Sequence, residues 1–168
     1  KFKTNKTISE YNYLIQGVLE NTDYFDNIKA MGSEYLMVET ISVLNLFPET
    51  WKIENERFVI DSKGNKISCF TRYNFFTIEI FLGNDNMKSK TEFCEAMMRD
   101  LACPLSSVFF RVWFYRGGMI SSYYYGDKYC QTEDRQCLRN INLSDINTLC
   151  KSCLLEDKTK HCSLILEF

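Results

Sequence analysis

The sequence predicts an α+β fold: an antiparallel sheet of about five strands packed with two or three helices, plus a disulfide-stapled C-terminal lobe. Three observations predict it. The apolar period is 3.6 residues near the N-terminus and again around residues 93–101. The period is 2 in short runs from Trp51 onward and from Val108 onward. Five of the eight cysteines crowd into residues 130–162, a polar stretch with few apolar side chains. A length of 168 residues, with 45% hydrophobic and 25% charged, suits one globular domain over 1–168, with 129–162 a Cys-rich lobe on the same core.

Thr7-Ile8-Ser9-Glu10 fits a capping box and predicts the start of the first helix. Tyr11, Leu14, Ile15, Val18 and Leu19 then form one apolar stripe, which Asn21-Thr22-Asp23 ends. After Gly32-Ser33, the residues Met37, Val38, Ile41, Leu44 and Leu46 favour a second helix stopped by Pro48, although their Val, Ile and Thr content also fits a strand. Residues 57–60 and 66–70 flank the turn set Asp61-Ser62-Lys63-Gly64-Asn65 as a hairpin, and a third strand over 75–82 closes at Gly83-Asn84-Asp85-Asn86. A second capping box, Ser89-Lys90-Thr91-Glu92, opens a helix carrying Phe93, Cys94, Met97, Met98 and Leu101, and Cys103-Pro104 stops it. In the next strand Val108, Phe110, Val112 and Phe114 alternate with Phe109, Arg111, Trp113 and Tyr115. Gly117-Gly118 turns it into a return strand over 119–125. A short helix near Ser144–Leu154 and a last strand, Ser163–Phe168, complete the chain.

The net charge of −2 comes with acids and bases interleaved, as in Glu133-Asp134-Arg135, so no basic patch points to nucleic acid. No run of about 20 apolar residues is present to span a bilayer. The opening Lys1-Phe2-Lys3-Thr4-Asn5-Lys6 lacks a signal-peptide core, and a chain that opens on Lys is expected to be processed or trimmed.

The cysteines carry most of the information about compartment. Cys69, Cys94, Cys103, Cys130, Cys137, Cys150, Cys153 and Cys162 are even in number, which predicts disulfides and an oxidising compartment. The cheapest local pairings are Cys94 with Cys103 and Cys130 with Cys137. The acceptors Asn5-Lys6-Thr7 and Asn142-Leu143-Ser144 add glycosylation at Asn5 and Asn142, so the chain is expected at the cell surface or outside the cell. The competing reading is an intracellular adaptor whose C-terminal cysteines hold zinc, but only Cys150 and Cys153 have the tight spacing that a zinc site usually shows twice. A thiol enzyme or hydrolase would need His161, the one histidine, beside Cys162, and neighbours on an extended chain point to opposite faces. No catalytic constellation, cofactor motif or metal site stands out.

Aromatic residues make up 15% of the chain and concentrate on the 108–125 hairpin. One face must build the core. The other, with Phe109, is either covered by a helix or the Cys-rich lobe or carries recognition through Arg111, Trp113 and Tyr115 with Tyr123, Tyr124 and Tyr125, because Trp, Tyr and Arg are the residue types enriched at interface hot spots. The expectation is therefore a secreted or cell-surface module that binds another macromolecule, foremost a protein, with no enzymatic activity. Frequent Asn, Lys, Ile, Phe and Tyr also fit AT-rich genomes, and with them a host-interacting factor of a parasite or large DNA virus.

Overall fold

The computed structural model describes residues 2–82, 87–155 and 161–168, with side chains for all of these except 2–5, 87–89 and 155. Among the described residues are five α-helices and ten strands, with both antiparallel and parallel pairing, so the α+β class holds with more strands than expected. The chain divides into two compact units, Lys1–Glu79 and Ile80–Phe168.

In the first unit, α1 spans Phe2–Glu20 and buries Tyr11, Leu14, Ile15 and Val18. It begins ahead of Thr7, so the expected capping box lies inside the helix. Thr7 is buried, and the Glu10 carboxylate accepts hydrogen bonds from the Thr50 and Ser62 hydroxyls instead. At Asn21 the chain turns directly into α2, Thr22–Lys29, where a plain helix end was expected. After β1, Tyr35–Leu36, comes α3, Val38–Val43, shorter than expected. Asn45 stands beyond it in the left-handed region (φ 59°), so the helix has already ended before Pro48.

The strands β2, Lys52–Ile53, β3, Phe58–Ile60, and β4, Lys66–Arg72, follow, and Val59 stands opposite Ile67 as the hairpin reading requires. Asp61 organises the turn by accepting the Lys63 and Asn65 amides, each at 2.8 Å. Its second oxygen accepts the buried Tyr11 hydroxyl at 2.7 Å. Tyr73 and Asn74, both left-handed, lead into β5, Phe75–Phe81, whose last two residues belong to the second unit. Cys69, expected in a disulfide, is instead a fully buried thiol, and burial pushes its pKa to about 12.

In the second unit, α4 spans Met87–Ala96, continues as a π turn over Met97–Ala102 and ends as a 3-10 turn over Cys103–Leu105. The expected turn at Gly83–Asn86 lies outside the described residues, and α4 is already under way before Ser89. The remaining elements are β6, Arg111–Arg116, β7, Met119–Ile120, β8, Tyr124–Tyr125, β9, Gln136–Cys137, α5, Leu143–Leu155, and β10, Cys162–Glu167. β10 runs antiparallel along the whole of β6. On the other edge of β6, β7 pairs with Tyr115 and Arg116 and β8 with Arg111 and Val112, so the return strand expected over 119–125 is broken into two. β9 joins β8 in parallel, which makes the pairing mixed rather than wholly antiparallel. α5 packs on β6 and β10 with Ile146, Cys150 and Leu154 buried, and α4 packs beside it.

Three disulfides fasten this unit. Cys94–Cys150 ties α4 to α5, Cys153–Cys162 ties α5 to β10, and Cys130–Cys137 closes the loop before β9. The local pairing of Cys130 with Cys137 holds. Cys94 pairs with Cys150 rather than Cys103, and Cys103 is a half-buried thiol. The cysteines of the C-terminal stretch are thus joined to one another or to Cys94 rather than gathered as ligands. Among the described residues no group of His, Cys, Asp or Glu could hold a metal ion. The bridges suit an oxidising environment, and no helix among the described residues is long and apolar enough to cross a membrane.

Candidate functional site

Alternation along β6 separates two faces. Val112, Phe114 and Arg116 are buried, whereas Arg111 and Trp113 are half-exposed and Tyr115 is exposed. Cross-strand pairing extends the second face. Trp113 stands opposite Ile165, Arg111 opposite Glu167 and also Tyr125, and Tyr115 opposite the exposed Ile120. The glutamate at the end of β10 is central: it accepts hydrogen bonds from Arg111 Nε and, at 2.9 Å, from Trp113 Nε1. Burial pulls the Arg111 guanidinium down, but the Glu167 hydrogen bond and charge, together with Tyr125 and Tyr123, leave its pKa above the ordinary arginine value.

The rings pack edge-to-face, the arrangement their quadrupoles favour. Tyr123 meets Trp113 with centroids 5.5 Å apart, and Phe110 meets Tyr125 at 5.6 Å and Tyr129 at 5.1 Å. Two arginines lie over these rings. Arg111 stands 4.1 Å from the Tyr123 centroid, and Arg135 stands 4.3 Å from that of Tyr125. The chain can fold back this closely because residue 126 is glycine. A Cβ there would fall 1.8 Å from the Phe109 carbonyl oxygen, and the Gly126 amide donates to Phe110 O at 2.9 Å.

Of the residues singled out from sequence, the structure brings together Arg111, Trp113, Tyr115, Tyr123 and Tyr125. Tyr124 stands apart: it pairs with Val112 of the buried face, where burial and then the nearby Asp145 of α5 raise its pKa. Phe109, expected to share the face of Arg111, is instead buried at 1% exposure against Phe168, and Phe110 takes the outer position. The register therefore changes just before β6 begins.

Phe110, Tyr129, Arg135 and Glu167 were not anticipated. An acid in the otherwise apolar run Leu164-Ile165-Leu166-Glu167 was the one available signal, because a buried carboxylate calls for a cation. His161 is exposed, with its ring edge-on to Phe81 at 5.9 Å, and its neighbour Cys162 is bonded to Cys153. Asn142 is exposed and caps α5: its Oδ1 accepts the Asp145 amide at 2.7 Å. The Asn5 side chain lies outside those described. No family model, curated protein or solved structure matches the chain.

Proposed function

We propose that this chain is a secreted or cell-surface binding module that recognises a protein through the face built by Arg111, Trp113, Tyr115, Tyr123 and Tyr125. One observation carries the reading. Large aromatic side chains and a guanidinium stay partly in water on one face of a sheet whose other face is buried under α5. They are held in place by one another and by Glu167, so their rotamers are fixed before any partner arrives. Fixed Trp, Tyr and Arg side chains lose little entropy on binding and bury much area. The three disulfides support an extracellular setting. The exposed sequon at Asn142 supports glycosylation there, because the cap engages the side-chain oxygen and the nitrogen that would take the glycan is not part of it.

The test is binding of the intact chain to an array of purified secreted and cell-surface ectodomains. Loss of a partner's affinity by roughly thirtyfold or more in Trp113→Ala/Tyr123→Ala, with the disulfides intact, supports the reading. Partners whose affinity that variant leaves unchanged overturn it.

A further inference from the structure

At one corner of the face, Arg135 differs from three other arginines of the second unit. Arg111 is paired with Glu167, Arg99 with Asp100 and Arg139 with Asp127. Arg135 has no carboxylate within salt-bridge distance among the described residues. Its exposed neighbour Asp134 feels its charge, but the Asp134 carboxylate is held first by Thr132, and the guanidinium is held by other contacts. Its Nη1 donates to the Tyr129 carbonyl at 2.9 Å, and its guanidinium lies over the Tyr125 ring. Its amide donates to Thr132 O at 3.1 Å in a turn, and the Cys130–Cys137 bridge closes the loop that carries it. One guanidinium nitrogen is therefore committed to a carbonyl and one planar face to a ring, which leaves the other N–H groups as a fork of donors beside Tyr125 and Tyr129. A planar fork of donors fits a carboxylate with two parallel hydrogen bonds.

We infer that Arg135 is the contact for an acidic side chain of the protein partner, a carboxylate carried next to an apolar or aromatic group that meets Tyr125 and Tyr129. This rests on the reading of the face as a protein-binding surface. The arrangement of the rings favours a protein over a sugar. Phe110 crosses Tyr125 at 83° and Tyr129 at 80°, and Trp113 crosses Tyr123 at 86°. Such a herringbone offers edges and notches for side chains rather than a flat platform for a pyranose ring.

The experiment is an NMR titration of the intact, disulfide-bonded chain, following Arg135 Nε and the Tyr125 and Tyr129 rings. The probes are 4-hydroxyphenylacetate, its neutral amide and N-acetylneuraminate. The expected result is saturable shifts at these residues with the aromatic carboxylate, about tenfold weaker affinity in Arg135→Gln and for the neutral amide, and weakening with added salt. Equal binding of the amide, unchanged binding in Arg135→Gln, or tighter binding of N-acetylneuraminate overturns the inference. Two further outcomes separate it from the reading beneath it. An ectodomain that loses affinity in Trp113→Ala/Tyr123→Ala but not in Arg135→Gln removes the acidic contact and keeps the binding face. A carboxylate that binds at Arg135, while the face variant spares every ectodomain partner, keeps the anion contact and removes the face.

Discussion

Replacing Cys94 and Cys150 together by alanine removes the bridge between α4 and α5 and should cost more stability than removing any other disulfide. Both residues are fully buried, and 56 positions separate them in sequence. In the chain-entropy account, a cross-link stabilises by restricting the unfolded chain, and the effect grows with the logarithm of the loop it closes. A loop of this length corresponds to about 4 kcal/mol, against about 2.5 kcal/mol for the separation of 7 between Cys130 and Cys137. The assay needs a reporter in each unit, and the two tryptophans supply them, Trp51 in the first and Trp113 in the second. Fluorine NMR of the 5-fluorotryptophan-labelled chain through a urea titration then follows each unit by its own signal. The Trp113 transition should move to much lower urea in Cys94→Ala/Cys150→Ala and by about half as much in Cys130→Ala/Cys137→Ala, while the Trp51 transition stays in place. An equal or larger loss from the short Cys130–Cys137 loop would refute loop closure as the source of the stabilisation.

Unfolding the oxidised chain in urea should expose two thiols, Cys69 and Cys103, whereas native protein at pH 8 should react slowly or not at all with a disulfide reagent, since burial raises their pKa values to about 12 and about 11. Stability should fall as pH rises above about 9: Cys69 and Cys103 keep their protons in the folded chain but lose them near 9 when unfolded, and the Tyr11 hydroxyl, raised first by burial and then by Asp61, adds to the fall above 10. Thermal melts from pH 7 to 11 check this, and a flat profile would contradict it. Gly126→Ala should cost about 3 kcal/mol or more, or abolish folding of the second unit, because its Cβ meets backbone at 1.8 Å; a Trp113 transition unchanged in urea would contradict the close approach. Tyr73→Asn should stabilise the first unit by about 0.5 kcal/mol, because a two-residue turn with both φ values positive prefers Asn at that position, partly offset by loss of the exposed Arg72–Tyr73 stack; the Trp51 transition reports it.

The long periodic elements were legible because each repeats its pattern often enough to be counted. α1, α5, the β3–β4 hairpin and the β6 alternation all fall close to where the sequence put them. Two-residue strands such as β1, β2 and β9 cannot display a period, and the expected return strand over 119–125 is split into β7 and β8, which together account for the underestimated strand number. The capping boxes misled for a different reason. A Thr and a Glu three residues apart fit a helix interior as well as a helix start, and Glu10 finds Thr50 and Ser62, which lie far along the chain. Within the candidate site, Arg111, Trp113 and Tyr115 could be read from alternation. Glu167 and Arg135 could not, because their positions depend on the pairing of β10 with β6 and on a disulfide-closed loop, both invisible to local pattern. The Cys94–Cys150 bridge is non-local in the same sense.

The covalent links and the open face are two sides of one physical arrangement. A unit that leaves Trp113, Tyr115, Tyr123 and Tyr125 partly in contact with water, even though Ser163, Ile165 and Glu167 beside them on β10 are buried, forgoes part of the hydrophobic burial a small fold relies on. Its three bridges close separations of 56, 9 and 7 residues, together worth roughly 9 kcal/mol in the chain-entropy account, which is comparable to the whole stability of a typical domain. Two of them anchor α5, the helix on the buried side, and the third fixes the loop that presents Arg135. None draws on the apolar area of the open face. The consequence can be checked with the disulfides intact: Trp113→Ala/Tyr123→Ala should leave the second unit folded at neutral pH. Its cost should stay well below that of deleting two buried aromatics of the first unit, such as Phe25 and Phe76, whose rings pack 5.0 Å apart. If the outward pair proved as costly as the inward pair, the face would be core rather than recognition surface, and the binding proposal would lose its physical basis.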